Sequence, residues 1–204
     1  MLDTRRFFSV NKSFYLFPIG SRSVLLCSVI LLFSGPILAA PLEFPGTKQR
    51  IIQGKTIFRS VAPQEEIYGR GDNVSGEVDP VSKSVHVRID LGDLSTGNRL
   101  RDSHMHDNYL ETTLFPFASF TGKIDSYDPA SGKTKLSGSL VLHGQTKENF
   151  IIEGTLSSEG NSLRFVSSFA IFLKDFHIEI PSLLILKLNE KIEIKTDFLL
   201  ETIK

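Results

Sequence analysis

In SVHVRIDL, apolar Val85, Val87, Ile89 and Leu91 alternate with His86, Arg88 and Asp90. A period of two belongs to an extended strand with one dry and one wet face, and a helix cannot satisfy it. The same period recurs down the rest of the chain. KLSGSLVLHG places Leu136, Gly138, Leu140 and Leu142 on one face, and LRFVSSFAIFL places Leu163, Phe165, Ser167, Phe169, Ile171 and Leu173 on one. KIEIKTDFLL aligns Ile192, Ile194, Phe198 and Leu200. Turn-forming residues separate the runs: Asp79-Pro80, Asp128-Pro129 followed by Ser131-Gly132, Gly144-Gln145, Glu159-Gly160-Asn161 and Asn189-Glu190. Strands joined by such short turns predict an antiparallel all-β domain, whose dry faces must be hidden in a barrel or a sandwich.

The front of the chain follows a different pattern. Arg5, Arg6, Lys12 and Arg22 precede VLLCSVILLFSGPILAA, from Val24 to Ala40, an apolar run too short to span a bilayer comfortably and ending in small residues. This order predicts a secretory signal peptide over residues 1–39, removed after Ala39, and a single domain over residues 40–204 in the periplasm or outside the cell. Lipidation at Cys27 is not expected. Leu26 stands where a small residue is needed, and the apolar run continues past the cysteine.

Cys27 is the chain's single cysteine, so the mature domain would depend on packing and not on disulfides. Four basic residues and one acidic residue leave with the signal, from totals of 23 and 23, which gives the remainder a net charge of −3. Without a Lys/Arg cluster, nucleic acid is not an expected partner. No later apolar run is long enough for a membrane span. The mature part holds eleven of the 16 phenylalanines and no tryptophan, and aliphatic runs such as SLLILKL, Ser182 to Leu188, exceed what one face requires. A solid core would absorb them; so would a cavity that they line. Periodicity leaves both open.

The segment RDSHMHDNYL, Arg101 to Leu110, concentrates ligand chemistry. Read as a helix with Asp102 as N-cap, it makes His104 and His106 project about 200° apart, so they cannot share a metal. The preferred reading is structural. Arg101 and Asp102 satisfy buried carbonyls, amides or each other, while Met105, Tyr109 and Leu110 pack the turn against the sheet. His86, His143 and His177 are scattered over different strands and read as solvated or locally bonded. No nucleophile elbow, phosphate-binding glycine loop or zinc-protease helix occurs, so no catalytic or metal-binding residues are assigned. Arg70-Gly71-Asp72 spells a short adhesion motif, but glycine between charged residues is also ordinary turn composition.

Three stretches together resemble the bacterial YceI-like family of polyisoprenoid-binding, lipocalin-like proteins. STGNRLRDSHM, Ser95 to Met105, carries the family's Thr-Gly-Asn, Arg-Asp and His at Thr96, Gly97, Asn98, Arg101, Asp102 and His104. FPFASFTGKI, Phe115 to Ile124, is similar to its aromatic-proline strand, and LSGSLVLHGQTKENF, Leu136 to Phe150, to its Gly-x-Leu hairpin ending in Gly-x-Thr-Lys. Two regions depart from the pattern. Leu173-Lys174-Asp175-Phe176-His177 stands where many relatives have Arg-x-Asp-Phe-Gly, and a proline-led apolar segment, IEIPSLLILKLNEKIEI, precedes the last strand.

The resemblance implies an eight-stranded antiparallel lipocalin-like barrel with a short helix near its mouth, exported, without enzymatic activity or cofactor. It would hold a long apolar tail such as an isoprenoid, an isoprenoid quinone or a fatty lipid. The dry-face sets name the expected lining: Val85, Val87, Ile89, Leu140, Leu142, Phe165, Phe169, Ile194 and Phe198. A homodimer is left open. The alternatives are a surface-binding or adhesion module using Arg70-Gly71-Asp72, and a metal-dependent enzyme built on His104, His106 and Asp102 or Asp107.

Because Cys27 leaves with the signal, the purified mature protein is expected to show the same unfolding midpoint with and without reductant. A shift measured by thermal melting would contradict the cleavage assignment.

Overall fold

The computed structural model describes residues 46–61, 65–179 and 189–203. The expected signal peptide and the run Ser182 to Leu188 lie outside the described residues. Nine strands follow in chain order: β1 (Gln49–Val61), β2 (Glu66–Gly71), β3 (Val74–Asp79), β4 (Ser84–Asp90), β5 (Phe117–Tyr127), β6 (Lys133–Leu142), β7 (Gln145–Glu159), β8 (Ser162–Phe172) and β9 (Lys191–Thr202). One helix, α1 (Arg99–His104), continues into a single π turn, Met105–Tyr109.

From β3 to β9 each strand pairs antiparallel with its neighbour, and β1 closes the sheet. One edge of β1 runs along β9, from Gln49 opposite Thr202 to Ser60 opposite Ile192. Its other edge meets β2 over Thr56–Val61 and β3 at Gln49 and Arg50. Because β2 and β3 occupy one strand position in succession, the nine strands make a closed eight-stranded barrel. An eight-stranded barrel is just wide enough to be filled by side chains or to hold one small ligand.

The interior follows from the alternation. Along β8 and β9 the inward pairs are Leu163–Leu200, Phe165–Phe198, Ser167–Thr196, Phe169–Ile194 and Ile171–Ile192. The one polar rung satisfies itself, since the Ser167 and Thr196 hydroxyls lie 2.7 Å apart. Buried Ile51, Val78, Val85, Phe120, Leu136, Phe150, Ile152 and Leu156 add inward residues from the other strands. Each such side chain contributes roughly 1.5–3 kcal/mol by leaving water.

Three sequence expectations need correction here. Leu91 and Leu173 are not strand residues: β4 stops at Asp90 and β8 at Phe172, and both leucines open 3-10 turns, Leu91–Asp93 and Leu173–Phe176. They remain on the inside because the turns fold back over the rim, which brings Phe176 to complete burial. Asp102 is not the helix N-cap. Asn98 is, its side-chain oxygen accepting from the amides of Leu100 and Arg101. His177 closes the second turn with a left-handed backbone at φ +54° although it is not a glycine, at a cost of about 1 kcal/mol.

Bulges set which residues face inward. In β1 the register shifts between Ile51 and Gln53, so the inward set changes from Gln49 and Ile51 to Gly54, Thr56, Phe58 and Ser60. Gly138 of β6 lies directly opposite Gly122 of β5. A Cβ at 138 would come 2.2 Å from the Thr121 carbonyl oxygen and 2.5 Å from the Gly122 Cα, both backbone atoms that cannot swing aside. Gly138→Ala is therefore expected to destabilise the fold by about 1–3 kcal/mol, the range for overpacking, as read by chemical denaturation.

Candidate functional site

The barrel interior holds two adjacent chambers. The lower holds about 80 Å³ and is bordered by Val85, Val87, Phe165 and Phe198, with Phe120, Leu136 and Leu200 among their neighbours. The upper holds about 430 Å³, and Leu142 and Ile194 lie in its wall. Ile89, Leu140 and Phe169, together with Ala118, border both chambers and form a waist between them. All nine residues named from the alternation thus face the interior.

Helix α1 and its π turn contribute Leu100, Arg101, His104, Met105 and Tyr109 to the upper chamber. The helix is held by its own N-terminal loop. The Asp102 carboxylate accepts from the Ser95 hydroxyl at 2.7 Å, the Thr96 amide at 2.7 Å and the Thr96 hydroxyl at 2.6 Å. Gly97 turns the loop at φ +75°, with its amide on the Ser95 hydroxyl at 3.1 Å, and Asn98 caps the helix. Thr96, Gly97, Asn98 and Asp102 are one clamp that fixes where α1 sits.

Comparison with known proteins agrees with this architecture. A family model described as the YceI-like domain matches residues 53–200. The chain belongs to the YceI-like family. A UPF0312 protein of Vibrio cholerae is 30% identical over 125 residues, covering 56% of this chain and 66% of that relative. The match thus spans just under two thirds of the relative's length. Two solved structures share the fold. A polyisoprenoid binding domain from Saccharophagus degradans, implicated in plant cell wall breakdown, superposes with a TM-score of 0.64 at 17% identity, covering 76% of this chain and 98% of that one. BcnA of Burkholderia cenocepacia gives 0.62 at 18%, covering 73% and 96%.

Other candidate residues of this YceI-like chain fall apart in space or serve the scaffold. Arg101 neither bonds Asp102 nor sits deep: its guanidinium meets Glu65 at 2.7 Å, with the two side chains 32% and 36% exposed. Its partner is Glu65, in a half-buried pair, and not Asp102. His104 borders the upper chamber from an exposed position, whereas the Nδ1 of His106 is buried without a partner among the described residues. Asp107 accepts from Ser103 at 2.8 Å. The His/Asp cluster does not converge. His143 is locally bonded, its two ring nitrogens facing the Phe176 carbonyl at 3.1 Å and Glu111 at 2.7 Å, and His86 Nδ1 lies 3.4 Å from the Thr121 hydroxyl.

The Arg70-Gly71-Asp72 tripeptide is not a projecting turn. Arg70 and Gly71 belong to β2, the Arg70 backbone pairs with both Ile57 and Ser95, and the Asp72 amide donates to Asp93 at 2.5 Å. Sequence reasoning missed Thr56, Ser60 and Glu65, which also border the upper chamber. Two of these are polar residues at inward positions, and a count of apolar alternation passes over them.

Burial pushes the Asp102 carboxyl upward, but the Thr96 hydroxyl and amide and the Ser95 hydroxyl, helped by His106, outweigh it and hold the group below its ordinary value. A depressed carboxylate contributes stability that is present above its unfolded value and lost as pH falls through its folded one. Asp102→Ala is expected to cost about 1–3 kcal/mol near neutrality, with the gap to wild type narrowing in acid. Arg101→Ala should cost less than about 1 kcal/mol, as exposed pairs do. Thermal melts across pH check both.

Proposed function

We propose that this protein binds one long apolar molecule inside its barrel, tail down, and acts as an exported lipid carrier or sensor and not as an enzyme. The observation that carries the reading is the apolar interior, in which a narrow lower chamber and a wider upper one share Leu140 and Phe169 in their walls. Role and shape agree: an extended chain fills the lower part, and a bulkier end stays near the mouth. The residues in the wall supply area and not chemistry, each methylene taken from water adding about 0.8 kcal/mol.

Polyisoprenoid, the ligand class of the similar Saccharophagus degradans domain, suits such a tunnel, and an isoprenoid quinone or a fatty lipid would use the same walls. The signal peptide read over residues 1–39 supports export to the periplasm or beyond. Among the described residues no helix is long and apolar enough to cross a membrane.

Extraction of the purified protein with organic solvent, followed by mass spectrometry, is expected to recover an apolar lipid in near-stoichiometric amount. Leu140→Trp tests the same idea at the waist. Overpacking a solid core costs about 1–3 kcal/mol, whereas a residue beside open space can enlarge into it. The variant should fold with little change in melting temperature and copurify with little lipid. A strongly destabilised Leu140→Trp that still carried lipid would count against a tunnel through the waist.

A further inference from the structure

Two buried hydroxyls in the wall of the upper chamber are left unpartnered by the described residues. Thr56 and Ser60 sit four residues apart on the inward face of β1, 5% and 0% exposed, and both form part of the chamber wall. Neither the Thr56 Oγ1 nor the Ser60 Oγ has a hydrogen-bond partner among the described residues. Other buried polar side chains of the strands are satisfied: Ser167 bonds Thr196, Thr134 bonds the Gly132 carbonyl, and Gln49 bonds Thr47 and Thr202; off the strands, the Nδ1 of His106 is also left without a partner among the described residues. A buried hydroxyl without a partner costs about 1–3 kcal/mol relative to a satisfied one, so two on one wall call for an explanation.

The charges around them restrict what could fit. Of the described ionisable groups that border the upper chamber, Glu65 and Arg101 pair with each other, and His104 is exposed. Burial pushes the Tyr109 phenol upward, so Tyr109 adds no charge to the chamber. A phosphate or carboxylate head could reach Arg101 only beside the Glu65 carboxylate, which would repel it. An uncharged oxygen meets no such repulsion.

We infer that Thr56 and Ser60 form a polar subsite in the upper chamber that takes an uncharged oxygen of the bound lipid, such as a carbonyl or hydroxyl, and that charged head groups are disfavoured there. A hydroxyl can donate to a carbonyl, and can donate to or accept from an alcohol, so the pair reads an oxygen function without specifying its type. The inference rests on the lipid-binding reading above and adds to it which end of the ligand is held, and where. It also accounts for the apolar neighbours: hydrogen bonds made at hydroxyls buried among apolar side chains are stronger than the same bonds in water.

The test uses the delipidated mature protein and displacement of the apolar dye N-phenyl-1-naphthylamine by geranylgeraniol, by its hydrocarbon counterpart lacking the oxygen, and by geranylgeranyl phosphate. Wild type should bind the alcohol about tenfold more tightly than the hydrocarbon, the value of one well-made buried hydrogen bond, and the phosphate more weakly than the alcohol. The Thr56→Val/Ser60→Ala double variant should lose that preference by weakening the alcohol alone. Its ligand-free melting temperature should be equal to or above wild type, because two unsatisfied groups have been removed. Thr56→Val alone, which conserves volume, carries the test if the double variant does not fold.

Equal binding of alcohol and hydrocarbon by wild type, an unchanged alcohol affinity in the variants, or a preference for the phosphate would each overturn the subsite while leaving the carrier reading in place. If no lipid displaces the dye from wild type, the carrier reading itself falls, and the subsite with it.

Discussion

The barrel depends on β1 finding a partner along both of its edges. One edge takes β9 for nearly the whole length of the strand, and the other takes β2 and then β3. Without that double pairing the sheet would have two open edges and no enclosed interior, and the apolar faces of β4 to β9 would have nothing opposite them. Gly54 allows the second edge to pass from β2 to β3. The Cβ that it lacks would lie 2.3 Å from the Val74 Cβ, so any larger residue would drive the start of β3 away from β1.

Closure creates the space, and the helix shapes its mouth. α1 makes only a turn and a half before its π turn, too short to hold a position by its own propensity. Its placement comes from the Asp102 clamp on Ser95 and Thr96, the Asn98 cap and the packing of Met105 and Tyr109. Residues that look like a catalytic cluster in one dimension are therefore a joint in three. The carboxylate is occupied by its own loop, and the arginine leans the other way, to Glu65.

Much of this was legible in the sequence, and the exceptions have physical causes. β4, β6, β8 and β9 were readable because each has one dry face, and their inward residues are the ones that border the chambers. The alternation ran one residue too far at Leu91 and Leu173, because a 3-10 turn can keep an apolar side chain on the inside after the strand has ended. β1 was hidden for two reasons. Its bulge changes the inward parity midway, and its upper inward set includes Thr56 and Ser60, which do not register as core. The family motif could be recognised without its mechanism: Asp102 looked like a cap, and only its three-dimensional partners show that it ties the loop preceding the helix.

The seam between β1 and β9 joins the first strand of the barrel to the last. In a chain that is synthesised or threaded from its N-terminus, β1 keeps one edge unpaired until β9 has appeared, and the contacts that seal the wall are the most distant in sequence. Pairing of that kind is slow, because the entropy of closing a long loop is lost before the contacts form. The interior is therefore not enclosed until β9 is in place beside β1. Whatever the barrel encloses can be enclosed only by the completed wall.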